Sequence, residues 1–216
     1  MRELNTYIEH TLLKQDADKK SLKKLFDEAK EHKFLGVCVN PCNVKYAAEN
    51  LKDSGVKIVT VVGFPLGASR GEVKAYEAKL AIEDGADEID MVLNVGLMKD
   101  KDYEAVQKDI ETVKEACKDK KLKVILETDL LTKEEIKKAC ELCVAAKADL
   151  VKTSTGFVKN GIGATAEDVK LMYDTVSPYG LEVKASAGIR DKQKAIDVIN
   201  AGATRLGTSS GVEIVK

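Results

Sequence analysis

Short runs of β-branched and other apolar residues alternate with longer amphipathic runs along the whole chain. The short runs have the length and composition of β-strands. They occupy residues 7–13, 37–40, 57–62, 88–93, 123–127, 150–154, 181–185 and 204–207. The charged runs between them predict helices near 18–33, 42–53, 71–84, 99–118, 132–146, 165–176 and 190–200, with a further short helix after Ser209. This alternation is typical of βα units wound around a parallel sheet.

Eight strands alternating with helices in 216 residues fit a compact (β/α)8 barrel, or TIM barrel, whose lower size limit is about 200 residues. No proline-rich linker or low-complexity tract interrupts the chain, so we expect one α/β barrel domain spanning 1–216. A doubly wound open sheet is the alternative, and it would use about five or six of the strands. The first two predicted strands are short and polar, which makes them the weakest evidence for a closed barrel.

The charge of the chain is nearly balanced, with 35 Lys and Arg against 36 Asp and Glu and a formal net charge of −1. This balance disfavours binding to nucleic acid or to an anionic membrane surface. No apolar stretch approaches the roughly 18 residues of a spanning helix, and the N-terminus is too polar for a signal peptide. The odd number of cysteines, five, is typical of reduced thiols. We therefore expect a cytoplasmic protein with no membrane or nucleic-acid partner.

Two short motifs have the spacing of cofactor sites, and we interpret both as structural. Cys140 and Cys143 have the spacing of metal or redox cysteines, but they lie within a strongly helical run, so packing explains them better than a metal. Residues 161–166 imitate a dinucleotide-binding fingerprint, but they lie too far beyond the preceding predicted strand. We expect an ordinary loop there, leading into a helix capped by Thr165.

Polar residues inside the predicted strands can be sorted by side, because alternate positions of a barrel strand face the lumen. The apolar neighbours of Asp90 should pack outward on helices, which turns Asp90 inward. The same alternation turns Lys152 and Lys184 inward and places Glu9 and Thr11 on one side. Two carboxylates and two ammonium groups are neutral as a set, whereas any one of them buried alone would cost several kcal/mol.

Two inward lysines on neighbouring strands predict a particular chemistry. At about 5 Å and an effective dielectric constant near 20, Lys152 and Lys184 repel by roughly 3 kcal/mol, which lowers the pKa of one amine from about 10.4 toward about 8. A partly neutral lysine forms an imine with a carbonyl, and the protonated imine is an electron sink for carbon–carbon cleavage. Asp90 is the candidate for moving protons, and Glu9 can orient Lys184. A purely structural ion-pair network is the other interpretation of the same four charges.

Seven motifs, in the same order along the chain, resemble those of the deoxyribose-phosphate aldolase family. They are IEHTLLK at 8–14, GVCVNP at 36–41, GFPLG at 63–67, EIDMV at 88–92, VKTSTGF at 151–157, KASAGIR at 184–190 and ATRLGTSS at 203–210. The resemblance implies that Lys152 is the Schiff-base lysine, Lys184 the lysine that perturbs it, and Asp90 the proton-relay aspartate. The implied reaction is the reversible cleavage of 2-deoxyribose 5-phosphate to glyceraldehyde 3-phosphate and acetaldehyde, without a metal or organic cofactor.

The resemblance also implies a phosphate site in the loops after the last strands. Backbone N–H groups and hydroxyls of such loops commonly hold phosphate in barrels. We expect the phosphate ligands to be Gly156, Gly188, Ser209 and Ser210. Cys38 is expected near the substrate end of its strand, although it also fits the role of a small buried apolar residue.

Two positions depart from the family pattern. Glu9 stands where the family usually has Asp, and Ala187 replaces the first glycine of the usual Gly-Gly pair. We expect Glu9 and Thr11 to support substrate binding, and a Cβ at Ala187 to restrict the approach of the backbone to the phosphate. Two other functions stay open: a phosphosugar isomerase or epimerase that uses no imine, and a protein that binds a dinucleotide or a sugar phosphate without turnover. A homodimer or a higher homo-oligomer is also left open.

Overall fold

The structure, a computed structural model, describes residues 2–216 of the chain. Over this range eight parallel strands form a closed barrel in which each strand pairs with the next and the last pairs with the first. The strands are β1 (Ile8–Leu12), β2 (Gly36–Val39), β3 (Lys57–Val62), β4 (Glu88–Val92), β5 (Lys121–Ile125), β6 (Leu150–Lys152), β7 (Glu182–Ser186) and β8 (Arg205–Thr208). The predicted (β/α)8 barrel is confirmed, and the open-sheet alternative is wrong because β1 pairs with β8. The domain is expected to start at residue 1, which lies outside the described residues.

Helices cover the outside of the barrel. In the described part of the chain they are α1 (Lys19–Glu31), α2 (Val44–Leu51), α3 (Gly71–Glu83), α4 (Val95–Lys99), α5 (Tyr103–Cys117), α6 (Lys133–Ala145), α7 (Ala166–Val176), α8 (Lys192–Asn200) and α9 (Gly211–Val215). Asp18 and Ser21 form a capping box at the start of α1, and Thr165 caps α7 as predicted, accepting from the N–H of Asp168. None of these helices combines the length and the apolarity needed to cross a membrane.

Two boundaries differ clearly from the prediction. The helix predicted at 99–118 is two helices, α4 and α5, because Lys101 has a left-handed backbone (φ 59°) and Asp102 caps a new helix by accepting from the N–H of Ala105. The fifth strand begins at Lys121 and ends before Glu127, whose φ of 61° is incompatible with a strand. The short α9 confirms the helix predicted after Ser209.

Side chains that point into the barrel divide its interior into an apolar part and a charged part. Cys38 of β2 and Val59 and Val61 of β3 pack together with Leu13. The charged part is formed by buried residues of the other strands, namely Glu9, Glu88, Asp90, Lys123, Lys152, Lys184 and Arg205. The outward neighbours of Asp90, which include Ile89, belong to the apolar core between barrel and helices, as the alternation predicts.

Candidate active site

Asp90 lies at the centre of the charged part and has no exposed surface. Its Oδ1 accepts a hydrogen bond from Nζ of Lys123 at 2.9 Å, and its Oδ2 accepts from Nζ of Lys152 and of Lys184, each at 2.7 Å. The strand register explains these contacts, because Asp90 pairs with Lys123 across β4 and β5, and Lys152 pairs with Lys184 across β6 and β7. One carboxylate therefore contacts three amines from three successive strands.

The pKa values of the two predicted catalytic lysines shift in opposite directions. Burial lowers the pKa of Lys152, and together with the positive charge of Lys184 it outweighs the attraction of Asp90. Burial also disfavours the charged form of Lys184, but Asp90 and Glu9 outweigh burial and raise the pKa of Lys184. Burial likewise opposes ionisation of Asp90, yet its three lysine partners hold its pKa well below the ordinary value. Lys152 is thus the amine that loses its proton most readily, while Lys184 stays charged.

The main cause of the Lys152 shift differs from the one expected. The sequence predicts repulsion by Lys184 as the cause, whereas in the structure burial is the larger effect. The barrel interior also holds more buried basic side chains than acidic ones. The acids are Glu9, Glu88 and Asp90, and the bases are Lys123, Lys152, Lys184 and Arg205. Among the three buried lysines the pKa of Lys152 is lowered, whereas the pKa values of Lys123 and Lys184 are raised.

Glu9 is the second carboxylate that contacts Lys184. Its Oε2 accepts a hydrogen bond from Nζ of Lys184, and its Oε1 is 3.5 Å from Nζ of Lys123 and 3.7 Å from Nε of Arg205. Gly207 on β8 leaves room for the lysine, because a Cβ there would lie 3.0 Å from Cε of Lys184. Glu9 and Gly207 thereby hold the Lys184 amine against Asp90.

A cavity of about 270 Å³ lies at the carboxyl ends of the strands, the face on which parallel barrels carry their active sites. Of the three lysines that contact Asp90, Lys152 lines this cavity and is 3% exposed, whereas Lys123 and Lys184 have no exposed surface. The rest of the wall consists of residues 11–14, 154–157, 186–190 and 207–209, which follow or end β1, β6, β7 and β8. An aldehyde in the cavity would meet the Lys152 amine.

Most of the residues predicted to bind substrate line the same cavity. They are Thr11, Gly156, Gly188 and Ser209. Ser210 does not line it, and its N–H donates to Oγ1 of Thr208 at 2.9 Å. Glu9 lies beside Lys184 and does not reach the cavity. The structure thus brings four of the seven predicted substrate-binding residues to the cavity, whereas Glu9, Cys38 and Ser210 do not line it.

Cys38 does not line the cavity, but it lies inside the barrel within range of the charges of Lys152 and Lys184. It is fully buried, and burial raises the pKa of its thiol. Its neighbours are Leu13, Val59 and Val61. These contacts fit the interpretation of Cys38 as a small buried apolar residue.

The site agrees with the chain's similarity to known proteins. The sequence profile of the DeoC/LacD family aldolases matches residues 6–216. The chain belongs to the DeoC/LacD family of aldolases. A deoxyribose-phosphate aldolase of Finegoldia magna is 56% identical over 214 residues, or 99% of each chain, and one of Streptococcus uberis is 57% identical over 98% of this chain and 95% of its own. A tetrameric deoxyribose phosphate aldolase from Aeropyrum pernix has a TM-score of 0.91 at 33% identity, over 98% of this chain and 89% of its own.

This DeoC/LacD aldolase accommodates both departures from the family pattern. The longer side chain of Glu9 still contacts Lys184. Ala187 has a left-handed backbone with φ 67°, which few residues other than glycine adopt, and it is followed by Gly188 with φ 72°. The Cβ of Ala187 therefore fits the loop at the cost of local strain.

The sequence patterns do not predict two residues of the aldolase site, Lys123 and Glu127. Lys123 was placed at the start of a predicted strand, yet it bridges Asp90 at 2.9 Å and Glu88 at 2.7 Å. Glu127 is buried, which raises its pKa, and it accepts hydrogen bonds from the N–H and the hydroxyl of Thr155 at the cavity wall. The position of Glu127 at the carboxyl end of a predicted strand, where barrels carry their active sites, is the one feature of the sequence that indicates its place in the site.

Proposed function

We propose that this aldolase reversibly cleaves 2-deoxyribose 5-phosphate to glyceraldehyde 3-phosphate and acetaldehyde through an imine on Lys152. The observation that carries the proposal is the placement of Lys152, whose amine has a lowered pKa, lines the cavity and shares a carboxylate with a charged lysine. The names of the relatives, which are 56% and 57% identical over nearly the whole chain, support the same substrate.

The proposed reaction begins when the neutral Nζ of Lys152 attacks C1 of the open-chain sugar. Loss of water from the carbinolamine gives a protonated imine. A base then removes the proton of the C3 hydroxyl, the C2–C3 bond breaks, and its electron pair forms an enamine with the imine as the electron sink. Glyceraldehyde 3-phosphate leaves at this point. Protonation of the enamine at C2 and hydrolysis of the resulting imine release acetaldehyde and restore the amine.

Asp90 is the proposed proton acceptor and donor for these steps. It is ionised, and its Oδ2 lies 2.7 Å from the amine that forms the imine, so a proton can pass over one hydrogen bond or through one water. Lys184 is proposed to stay protonated and to favour the neutral form of Lys152, and Glu9 to orient Lys184. The charge of Lys184 also replaces the partner that Asp90 loses when Lys152 becomes neutral.

The phosphate is proposed to bind at the rim of the cavity. Gly156, Gly188 and Ser209 line the cavity, and their backbone N–H groups and a hydroxyl suit a dianion. Ser210 is proposed to support this region through its bond to Thr208. Thr11 is proposed to contact the sugar, and Cys38 to shape the barrel interior behind it.

Borohydride trapping tests the proposal. Acetaldehyde followed by sodium borohydride should convert Lys152 to an ethyl-lysine that peptide mass spectrometry locates, and the cleavage assay should release glyceraldehyde 3-phosphate. Lys45→Met, which removes an exposed lysine, serves as the matched control and should trap normally. An isomerase or epimerase without an imine would give no adduct, and a binding protein would release no triose phosphate. Either result, or an adduct on Lys184, would overturn the proposal.

We also propose that the chain forms a homo-oligomer and works in the cytoplasm. An exposed apolar group of Leu66, Val73, Tyr76 and Leu80 lies along α3 and the loop before it, and the Aeropyrum pernix relative is a tetramer. Light scattering on the purified protein should show more than one chain per particle, and Tyr76→Lys should weaken the assembly. A monomer at all concentrations would contradict the first proposal, and recovery of the protein outside the cytoplasmic fraction would contradict the second.

A further inference from the structure

The loop after β7 has an unusual backbone where it lines the cavity. Ala187 and Gly188 both lie in the left-handed region, with φ of 67° and 72°. A left-handed alanine is strained, and such strain persists only where the surrounding structure determines the conformation. Something outside this loop must therefore hold its shape.

The segment 161–164, in the loop between β6 and α7, packs directly against this backbone. The N–H of Ala164 donates to the carbonyl of Ala187 at 3.0 Å. A Cβ on Gly188 would lie 2.4 Å from the carbonyl oxygen of Ile162, and a Cβ on Gly163 would lie 2.5 Å from that of Ala187. The two loops are thus in backbone-to-backbone contact, and a shift in 161–164 must move Ala187 and Gly188.

Asp129, in the loop after β5, holds the segment 161–164 in turn. Its carboxylate accepts the N–H of Ile162 at 2.9 Å and the N–H of Gly163 at 3.0 Å. A Cβ on Gly161 would lie 2.8 Å from Oδ2 of Asp129, so the carboxylate is seated closely against the segment. Hydrogen bonds from backbone N–H groups to a carboxylate are about twice as strong as neutral ones.

We propose that Asp129 is a positioning residue for the phosphate end of the substrate. It acts through 161–164 on Ala187 and Gly188, and so fixes the direction of the Gly188 N–H at the cavity wall. Asp129 itself neither lines the cavity nor contacts Asp90 or Lys152. It should therefore affect recognition of the phosphate and leave imine formation unchanged. This inference rests on the proposed function, since it assigns a phosphate to the same cavity.

The test compares phosphorylated and unphosphorylated substrate in Asp129→Ala and Asp129→Asn. For Asp129→Ala we expect the KM for 2-deoxyribose 5-phosphate to rise about tenfold, the loss expected for hydrogen bonds to a charged group, with kcat little changed. The kcat/KM for unphosphorylated 2-deoxyribose should not change. Asn keeps one acceptor oxygen, so Asp129→Asn should restore part of the affinity. Competitive inhibition by inorganic phosphate should weaken in the same order as KM.

Asp102→Ala is the matched control for a general loss of stability, because the carboxylate of Asp102 also accepts a backbone N–H, but at the start of α5 and not beside the cavity wall. It should leave the ratio of the two kcat/KM values unchanged. A proportional loss for both substrates in Asp129→Ala, or no change in KM, would overturn the inference. Trapping with acetaldehyde and borohydride involves no phosphate, so its failure in the unmodified protein would refute the proposed function separately.

Discussion

Lys152 and Lys184 donate to the same oxygen, Oδ2 of Asp90, each at 2.7 Å. A shared carboxylate attracts both amines, so the difference between them arises elsewhere. Lys184 has Glu9 as a second anionic partner, whereas Lys152 borders the cavity and has Asp90 as its hydrogen-bonded carboxylate. This asymmetry supports the proposal that Lys152 is the nucleophile and Lys184 a fixed charge.

Replacing the proposed nucleophile should abolish the cleavage reaction and preserve the fold. In Lys152→Met the trapped ethyl adduct and the cleavage activity should both disappear. A lysine whose pKa is lowered by folding opposes folding at pH values below its unfolded-state pKa, so the charge of Lys152 does not stabilise the fold on balance. We expect the free energy of unfolding to change by no more than about 1 kcal/mol in urea titrations. Residual turnover at the original rate would exclude Lys152 as the nucleophile.

Removing the second charge should move the pH dependence of the reaction upward. Lys184 lowers the pKa of Lys152, so Lys184→Met should raise that pKa. Because the reaction needs the neutral amine, the acidic limb of kcat/KM against pH should move to higher pH, and the amount of trapped adduct at fixed pH should follow it. Lys45→Met is the control, since Lys45 is exposed on α2. An acidic limb that stays in place would show that Lys184 does not tune Lys152.

Much of this site could be predicted from alternation within the strands. Barrel strands are covered on the outside by helices, so apolar residues such as Ile89 mark the outward positions and leave Asp90 inward. The same rule correctly predicts that Lys152 and Lys184 point into the barrel, where both contact Asp90. It failed for Lys123, because the predicted strand began there and its apolar neighbours on one side were missing. In the structure the strand begins at Lys121.

Two other features depend on distances that no sequence pattern encodes. The lowered pKa of Lys152 arises mainly from its depth of burial, which is set by the packing of the whole barrel. Asp129 contacts Ile162 and Gly163, more than thirty positions away along the chain, through a loop that has no periodicity. The spacing of residues within a strand predicts which side chains face the barrel interior, but it does not predict contacts between loops.

A single methyl group on β8 should disturb the lysine pair. In Gly207→Ala the new Cβ would lie 3.0 Å from Cε of Lys184 and 3.0 Å from Cβ of Ser186. Overpacking of this kind destabilises a protein by about 1–3 kcal/mol and should push Lys184 away from Asp90. We therefore expect kcat/KM to fall and the acidic limb of its pH profile to move to higher pH, as in Lys184→Met. Gly96→Ala in α4 is the control, because the nearest atom to its new Cβ would be Oδ1 of Asn94, at 3.4 Å. Equal effects of the two substitutions would refute the steric explanation.

The ion pairs of Glu88 with Lys123 and Lys57 should make the stability of the barrel sensitive to acid. Glu88 is 2% exposed and contacts Nζ of Lys123 at 2.7 Å and of Lys57 at 2.8 Å. Burial opposes its ionisation, but the two lysines outweigh burial and lower its pKa from 4.5 to about 2. A carboxylate with a lowered pKa stabilises the fold above its unfolded pKa, and this stabilisation is lost as the pH falls toward the folded pKa.

Glu88→Gln should therefore destabilise the protein by about 3 kcal/mol at pH 7, and its difference from the unmodified protein should shrink between about pH 5 and pH 2. Urea unfolding at pH 7 and at successively lower pH values measures this difference. Glu49→Gln makes the same charge change at an exposed position of α2 and should have a small effect at every pH. A destabilisation of Glu88→Gln that stays constant with pH would mean that lost packing, and not the charge held by Lys123 and Lys57, accounts for it.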